Sequence, residues 1–197
     1  MTILHKWLAI GAAALAGAGA TPLAAGVEAS ARPAPDADAV RLVVDLSDRE
    51  LYVLRGGEVE RTYAVAVGKP EHPTPKGEFG IRRIIWNPRW VPPDASWARG
   101  KKPRAAGDPQ NPMGRVKMFF KEPDYYVHGT HQEDSLGRAE SHGCIRMRND
   151  DVIDLAKVVM QSGGEHREPG WFRRVINRVT QTQDVRLSQP VSFEVRA

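Results

Sequence analysis

From Val40 to Gly68 the chain reads "VRLVVDLSDRELYVLRGGEVERTYAVAVG", with apolar and polar positions alternating. A period of two puts successive side chains on opposite faces of a strand. Ser47-Asp48 and Gly56-Gly57 interrupt the alternation as turn signals, so the pattern predicts three strands joined by tight turns. "GEFGIRRIIW", 77–86, predicts a fourth strand. "RVKMFF" from Arg115 and "YYVHGT" from Tyr125 predict two more, split by the turn-like Lys121-Glu122-Pro123-Asp124. "VRLSQPVSFEV", 185–195, reads as a closing strand. Its Pro190 has no N–H to give a ladder and so calls for an edge or a break.

The period changes after Asn149. Val152, Leu155, Ala156 and Val159 recur at helical spacing in "NDDVIDLAKVVMQSGG". Asn149 is the expected cap, Asp150 and Asp151 suit the positive end, and Gly163-Gly164 stops the helix. A second helix is expected over 170–181, with Trp171, Val175 and Val179 on one face. Residues 87–114 hold six prolines and no period. A loop of that length inside a domain is usually functional or disordered. Trp90 and Trp97 argue against disorder, since aromatic rings seek burial or a ligand. The segment is expected to be a lid or binding loop. The balance is mainly β with one or two short helices.

The chain opens "MTILHKWLAIGAAALAGAGA". Lys6 precedes an apolar run too short to span a bilayer comfortably, which takes roughly 20 residues. Small-x-small patterns follow at Ala18-Gly19-Ala20 and Val27-Glu28-Ala29. Residues 1–29 are therefore expected to be a signal peptide, with an uncleaved anchor as the alternative. Residues 30–39, rich in Ala, Pro and Asp, form a linker. The rest suits one domain with a real core. An exported protein is expected, in the periplasm or cell envelope. The net charge of +4 then points to anionic wall or membrane polymers rather than nucleic acid. The basic residues are scattered, without an aromatic-basic repeat.

Export makes the cysteine count informative. One cysteine, Cys144, occurs in 197 residues, so no internal disulfide can form. It lies within "AESHGCIRMRND", 139–150, and His128, His131 and His142 are close in sequence. Three readings compete. As a nucleophile, the thiol needs an imidazole or backbone donors to ionise from a pKa of about 8.5. His128 ends a predicted strand and could face it. Gly143 permits a tight turn, and the amides of Gly143 and Cys144 could meet an oxyanion. Cys144 would sit on a turn between a strand and the helix at Asn149. As a metal site, His-x-x-His with His-x-Cys suggests zinc, but the spacing falls across a turn. As a structural feature, Ser141, His142 and Arg146 could form a polar turn over a buried thiol. Tyr126, two positions before His128, points to the same side of its strand, into either cleft or core.

"HGT" at 128–130 and "SHGCIRM" at 141–147, with twelve residues between His128 and Ser141, resemble the signature of the L,D-transpeptidase catalytic domain family. "TPKGEFGI" at 74–81 and "NPMG" at 111–114 are similar to further elements of that family. The resemblance covers about 40–161. Residues 162–197 resemble the end of some members more loosely, and would complete or extend the domain. The implied fold is mainly β, a β-sandwich of mixed sheets with one or two short helices. The resemblance implies Cys144 as nucleophile and His128 as general base, with the Gly129 carbonyl orienting the imidazole. His142 and Gly143 match the oxyanion turn, Ser141 its support, and Arg146 a brace or carboxylate contact. With Tyr126, Trp90 and Trp97, Ser141 and Arg146 make up the expected substrate-binding set. No metal and no cofactor are implied; His131, His72 and His166 are expected to be solvated.

The implied reaction is transfer from a peptidoglycan tetrapeptide stem to an amine, with a stem peptide or a wall-attached protein as acceptor, carried out by a monomer. Two alternatives stay open. One is an L,D-carboxypeptidase or a hydrolase releasing a stem-bound protein; the other is a non-enzymatic wall-binding protein.

Overall fold

The computed structural model describes residues 39–197. The expected signal peptide, and the linker up to residue 38, lie outside the described residues. The alternating segment at 40–68 forms β1 (Val40–Asp45), β2 (Glu50–Arg55) and β3 (Glu58–Ala64), followed by a short β4 (Val67–Gly68). The first two strands pair antiparallel, as do the second and third. The turn after β1 is held by Asp45, whose Oδ1 accepts the Ser47 and Asp48 N–H groups at 3.0 and 3.2 Å. In the next turn Gly56 and Gly57 take positive φ, at 59° and 94°, a conformation that costs a residue with a Cβ.

β5 (Gly77–Trp86), β6 (Val116–Lys121) and β7 (Tyr125–Thr130) fall where the alternation placed them. Besides the short β4, two strands go beyond the expectation: β8 (Ala139–Ser141) and β9 (Ile145–Arg148). The helices are α1 (Asn149–Ser162) and α2 (Pro169–Asn177), and β10 (Gln183–Arg196) ends the chain. Eight strands form one mixed sheet in the order β3-β2-β1-β10-β5-β6-β7-β9, and β4 pairs with β8 separately. β1 and β10 run parallel, as do β7 and β9.

β10 is thus a central strand, which excludes the edge option for Pro190. The break is present instead. Pairing with β5 stops at Arg186 and resumes at Val191, so the proline sits where no ladder N–H is needed. Leu187, in the gap, packs on Gly163 at the end of α1. A Cβ on that glycine would approach Leu187 to 2.7 Å.

One continuous core joins the sheet to α1 through Val152, Leu155, Ala156 and Val159, the face expected for that helix, and Ile153 and Met160 are buried with them. α2 ends at Asn177, not 181, and Val179 is left exposed. Carbonyls at its end and in the turn beyond it are taken by groups remote in sequence. Asn87 Nδ2 donates to Val175 O, Arg178 O and Gln181 O at 2.8, 3.2 and 3.1 Å, and Arg115 donates to Ile176 O.

Asn149 does not cap α1; Arg148 occupies the cap position, with no side-chain cap bond. The Asn149 amide turns away to tie two strands. Its Oδ1 accepts the Arg115 N–H at 2.9 Å and its Nδ2 donates to Thr130 O at 3.0 Å. A long-range pair of bonds has displaced a local one.

Candidate active site

Residues directly opposite in a ladder share a face. The register pairs Lys117 of β6 with His128 of β7, and His128 with Arg146 of β9. A second row pairs Phe119 with Tyr126. Cys144, two positions before Arg146, lies beside Tyr126. These side chains open into a cavity of about 1180 Å³ lined by Lys117, Tyr126, His128, Cys144 and Arg146, with residues of the 87–114 loop opposite. Tyr126 therefore lines the cleft. His128 is buried, while Cys144 is partly exposed.

The turn bearing Cys144 joins β8 to β9, and α1 begins only after β9. The expected strand-to-helix turn is thus a strand-to-strand turn, because Ile145–Arg148 first pairs with β7. Ser141 holds the turn closed. Its Oγ donates to the Cys144 carbonyl at 2.5 Å and accepts the Gly143 N–H at 3.1 Å. Two expectations change with that. The Ser141 hydroxyl is spent within the turn, not on a ligand. The Gly143 amide is also spent there, so it does not face the cleft as an oxyanion donor. Gly143 has φ of +103°, and a Cβ would approach the Tyr125 ring to 2.9 Å. The 74–81 motif supports the same turn from below. Lys69 N–H donates to Ser141 O at 3.1 Å, and Thr74 Oγ1 accepts the Gly68 N–H at 2.9 Å.

Nδ1 of His128 lies 2.7 Å from the Gly129 carbonyl. The carbonyl can only accept, so Nδ1–H is the donor and the lone pair of the neutral ring is on Nε2; the Pro112 backbone also lies against the ring. Gly129 has a second role: a Cβ there would approach Asn149 Oδ1 to 2.2 Å. The tether that links β6, β7 and α1 needs the space that glycine leaves.

Burial pushes the His128 pKa down to about 3, with Arg146 and Lys117 adding to the fall. An imidazolium is costly in an apolar site flanked by two cations. Burial also raises the Cys144 thiol. Hydrogen bonds from Tyr126 and the charges of Lys117 and Arg146 oppose that rise. As a thiol, Cys144 donates to the Asp124 carbonyl at 3.3 Å. Burial raises Tyr126 too, so its phenol stays protonated at neutral pH.

The 87–114 loop is ordered by its own bonds. Trp90 and Arg104 exchange backbone hydrogen bonds at 2.9 Å each way. Asn111 Nδ2 donates to Pro88 O and Ala105 O, and its Oδ1 accepts the Met113 N–H, which explains the 111–114 motif. Trp90 is only 7% exposed and anchors the loop base, although it reaches the cavity wall. Trp97 stacks on His142 with centroids 4.1 Å apart and planes 19° apart. His142 also meets His72 at 5.1 Å, so His72 is half-buried against the turn rather than freely solvated. Arg146 reaches Gln132 at 3.3 Å, and its backbone pairs with Ala66. His131 is exposed at the rim. Among the described residues, no three His, Cys, Asp or Glu side chains gather to hold a metal.

Lys117 is the site residue the sequence reading passed over. The signal was a lysine on the alternating strand "RVKMFF", but nothing local says which strand lies opposite.

The mainly β fold thus sets a thiol and a buried imidazole on one cleft face. The family model for YkuD, the L,D-transpeptidase catalytic domain, matches residues 39–179. The chain belongs to this family of transferase domains. It is 33% identical to the L,D-transpeptidase-family protein YkuD of Bacillus subtilis over 146 residues, 74% of this chain and 71% of that one. It is 37% identical to YqjB of the same organism over 123 residues, 60% of this chain and 65% of that one. The match thus spans less than two thirds of YqjB. Among solved structures, an L,D-transpeptidase from Mycobacterium smegmatis aligns with 80% of this chain and 58% of its own, at 23% identity and a TM-score of 0.49. The catalytic domain of an Enterococcus faecium L,D-transpeptidase aligns over 81% and 98%, at 16% identity and a TM-score of 0.49.

Proposed function

We propose that this chain is an exported cysteine L,D-transpeptidase of the cell envelope, acting on peptidoglycan stem peptides. The Cys144 thiolate attacks the carbonyl between the diamino residue and the terminal D-alanine of a tetrapeptide stem. The C–N bond breaks, D-alanine leaves with a proton on its amine, and a thioester remains. An amine then attacks the thioester and the thiolate departs. The product is a cross-link between third residues, or a stem-attached protein. Two acyl transfers replace one harder amide exchange.

The observation that carries this reading is the placement of Cys144 and His128 on one cleft wall, with the imidazole neutral. His128 takes the proton from the thiol or from the incoming amine, and the Gly129 carbonyl fixes its tautomer. Arg146 and the Tyr126 hydroxyl face the same space and suit a stem carboxylate and carbonyl. Trp97, stacked on His142 at the cleft edge, screens the thioester from water. The apolar run at 7–20 supports export.

Incubation of the purified chain with defined tetrapeptide muropeptides, read by mass spectrometry, tests the reading. Cross-linked dimers support the transferase. Tripeptide monomers alone assign an L,D-carboxypeptidase instead. No change in mass overturns both. Trp97→Ala should raise the tripeptide fraction relative to dimers; an unchanged ratio removes the screening role.

A further inference from the structure

Lys117 stands out among the cleft cations. Arg146 is tethered to Gln132. Arg83, which lies over the other neighbour of Lys117, Phe119, is paired with Asp184 and Glu122. Lys117 has neither an ion pair nor a hydrogen bond among the described residues. Its ammonium lies 3.8 Å from the Tyr126 ring centroid and 4.5 Å from that of Phe119. Two aromatic faces hold it at the cavity wall and keep it partly out of water. A desolvated cation without a partner attracts an anion strongly.

The anion beside it is made at Cys144. Tyr126 connects the two residues, with its ring face under the ammonium and hydrogen bonds toward the sulfur. His128 is a poor counter-charge at rest, because burial between Lys117 and Arg146 in the cross-strand row disfavours its charged form until it takes a proton in the reaction. A resting thiolate–imidazolium pair is therefore disfavoured in this cleft.

We propose that Lys117 is a positioning residue that supplies the counter-charge stabilising the Cys144 thiolate once the thiol gives up its proton. The inference deepens the reading of Cys144 as nucleophile and rests on it only for the identity of the thiol. The groups facing the sulfur are few. From β7 come the Tyr126 hydroxyl and the neutral His128; from β9, Arg146; from its own turn, His142; and from the turn before β7, the Asp124 carbonyl. Around Lys117 stand Arg83 on β5, and Glu122 and Asp124 in the turn after β6. Carboxylates already neutralise Arg83; of the two cations left without an ion pair among the described residues, Arg146 is engaged with the Gln132 amide and Lys117 with no polar partner. Arg146 shares the task from the far side of His128. His128 is left free to move protons rather than to store charge.

The single cysteine makes the test direct, since every alkylation by iodoacetamide falls on Cys144. The thiolate displaces iodide, an S–C bond forms, and the thiol proton goes to buffer. The rate is measured against pH for the full chain and for Lys117→Met, Lys117→Gln and Lys117→Arg. The midpoint should rise by about one pH unit in the Met and Gln variants. The Arg variant, which keeps the charge, should stay near wild type. Equal midpoints in all four proteins overturn the proposal. So does a rise in the Arg variant as large as that in Met, since that would follow from lost packing. Melting temperatures of the same samples show whether each variant is folded, and Met retains the aliphatic stem if Gln does not fold. Alkylation needs no muropeptide, so failure of the counter-charge and failure of the transpeptidase reading are separately visible.

Discussion

At one edge of the large sheet, β1, β2 and β3 pair in chain order through turns of a few residues. At the other edge, β6, β7 and β9 are held together by groups distant in sequence. Asn149 reaches back to Arg115 and Thr130, and Gly114 and Gly129 make way for it. The first edge tolerates change because each turn satisfies itself. The second does not, because one side chain serves three elements and the cleft lies on top of them. Local turns give a frame; shared, non-local bonds give the precision a reacting pair needs.

The sharpest break between the two edges is chemical. Cys144→Ala should abolish covalent capture of a carbapenem, read as the loss of the mass adduct. An adduct on the variant would move the nucleophile elsewhere. No substitution in the β1–β3 hairpins should have that effect.

Next come the glycines. Gly129→Ala forces a Cβ into Asn149 Oδ1, at 2.2 Å, and into the Arg115 amide, at 3.0 Å. It should cost about 3 kcal/mol and most of the activity. Gly57→Ala meets nothing within 4 Å and bears only the strain of φ +94°, about 1 kcal/mol. Denaturant unfolding of both variants measures the difference, and equal losses would erase the contrast drawn between the edges.

A smaller effect is titratable. His128 has its folded pKa lowered to about 3 by burial, against about 6.5 for the unfolded chain. Below 6.5 the unfolded state binds a proton that the folded state refuses. Stability from this group is therefore intact above about pH 6.5 and falls as the pH drops toward 3. His128→Gln should melt with a shallower loss over that window. Parallel pH dependence in wild type and variant would mean that the imidazole is not held neutral. The smallest change is expected at the exposed Arg55–Glu60 pair, 3.3 Å apart on the hairpin edge. Glu60→Ala should alter stability by less than about 0.5 kcal/mol, by the same unfolding measurement.

Much of the fold and site was legible in the sequence for identifiable reasons. β1 to β3 and β5 to β7 alternate over six residues or more, long enough for period two to show. β8 and β9 have three and four residues and cannot show it. Missing them misplaced the Cys144 turn. Asn149 carries a local capping signal, and its tertiary use leaves no mark in the neighbouring residues. Ser141, Gly143 and Cys144 were found together because a tight turn keeps its residues adjacent in the chain. The commitment of the Ser141 hydroxyl and the Gly143 amide to each other was not visible, since it depends on how that turn closes.

By itself, the sequence determined the strands of the first hairpins, the apolar face of α1, the lone thiol and its spacing from His128. Each is written in residues a few positions apart, or in a motif. Only the tertiary structure decided that β10 runs between β1 and β5, and that Lys117 and Arg146 flank His128. Register between strands far apart in the chain is set by the whole core and by shared tethers such as Asn149. That register fixes which charges surround the imidazole and the thiol.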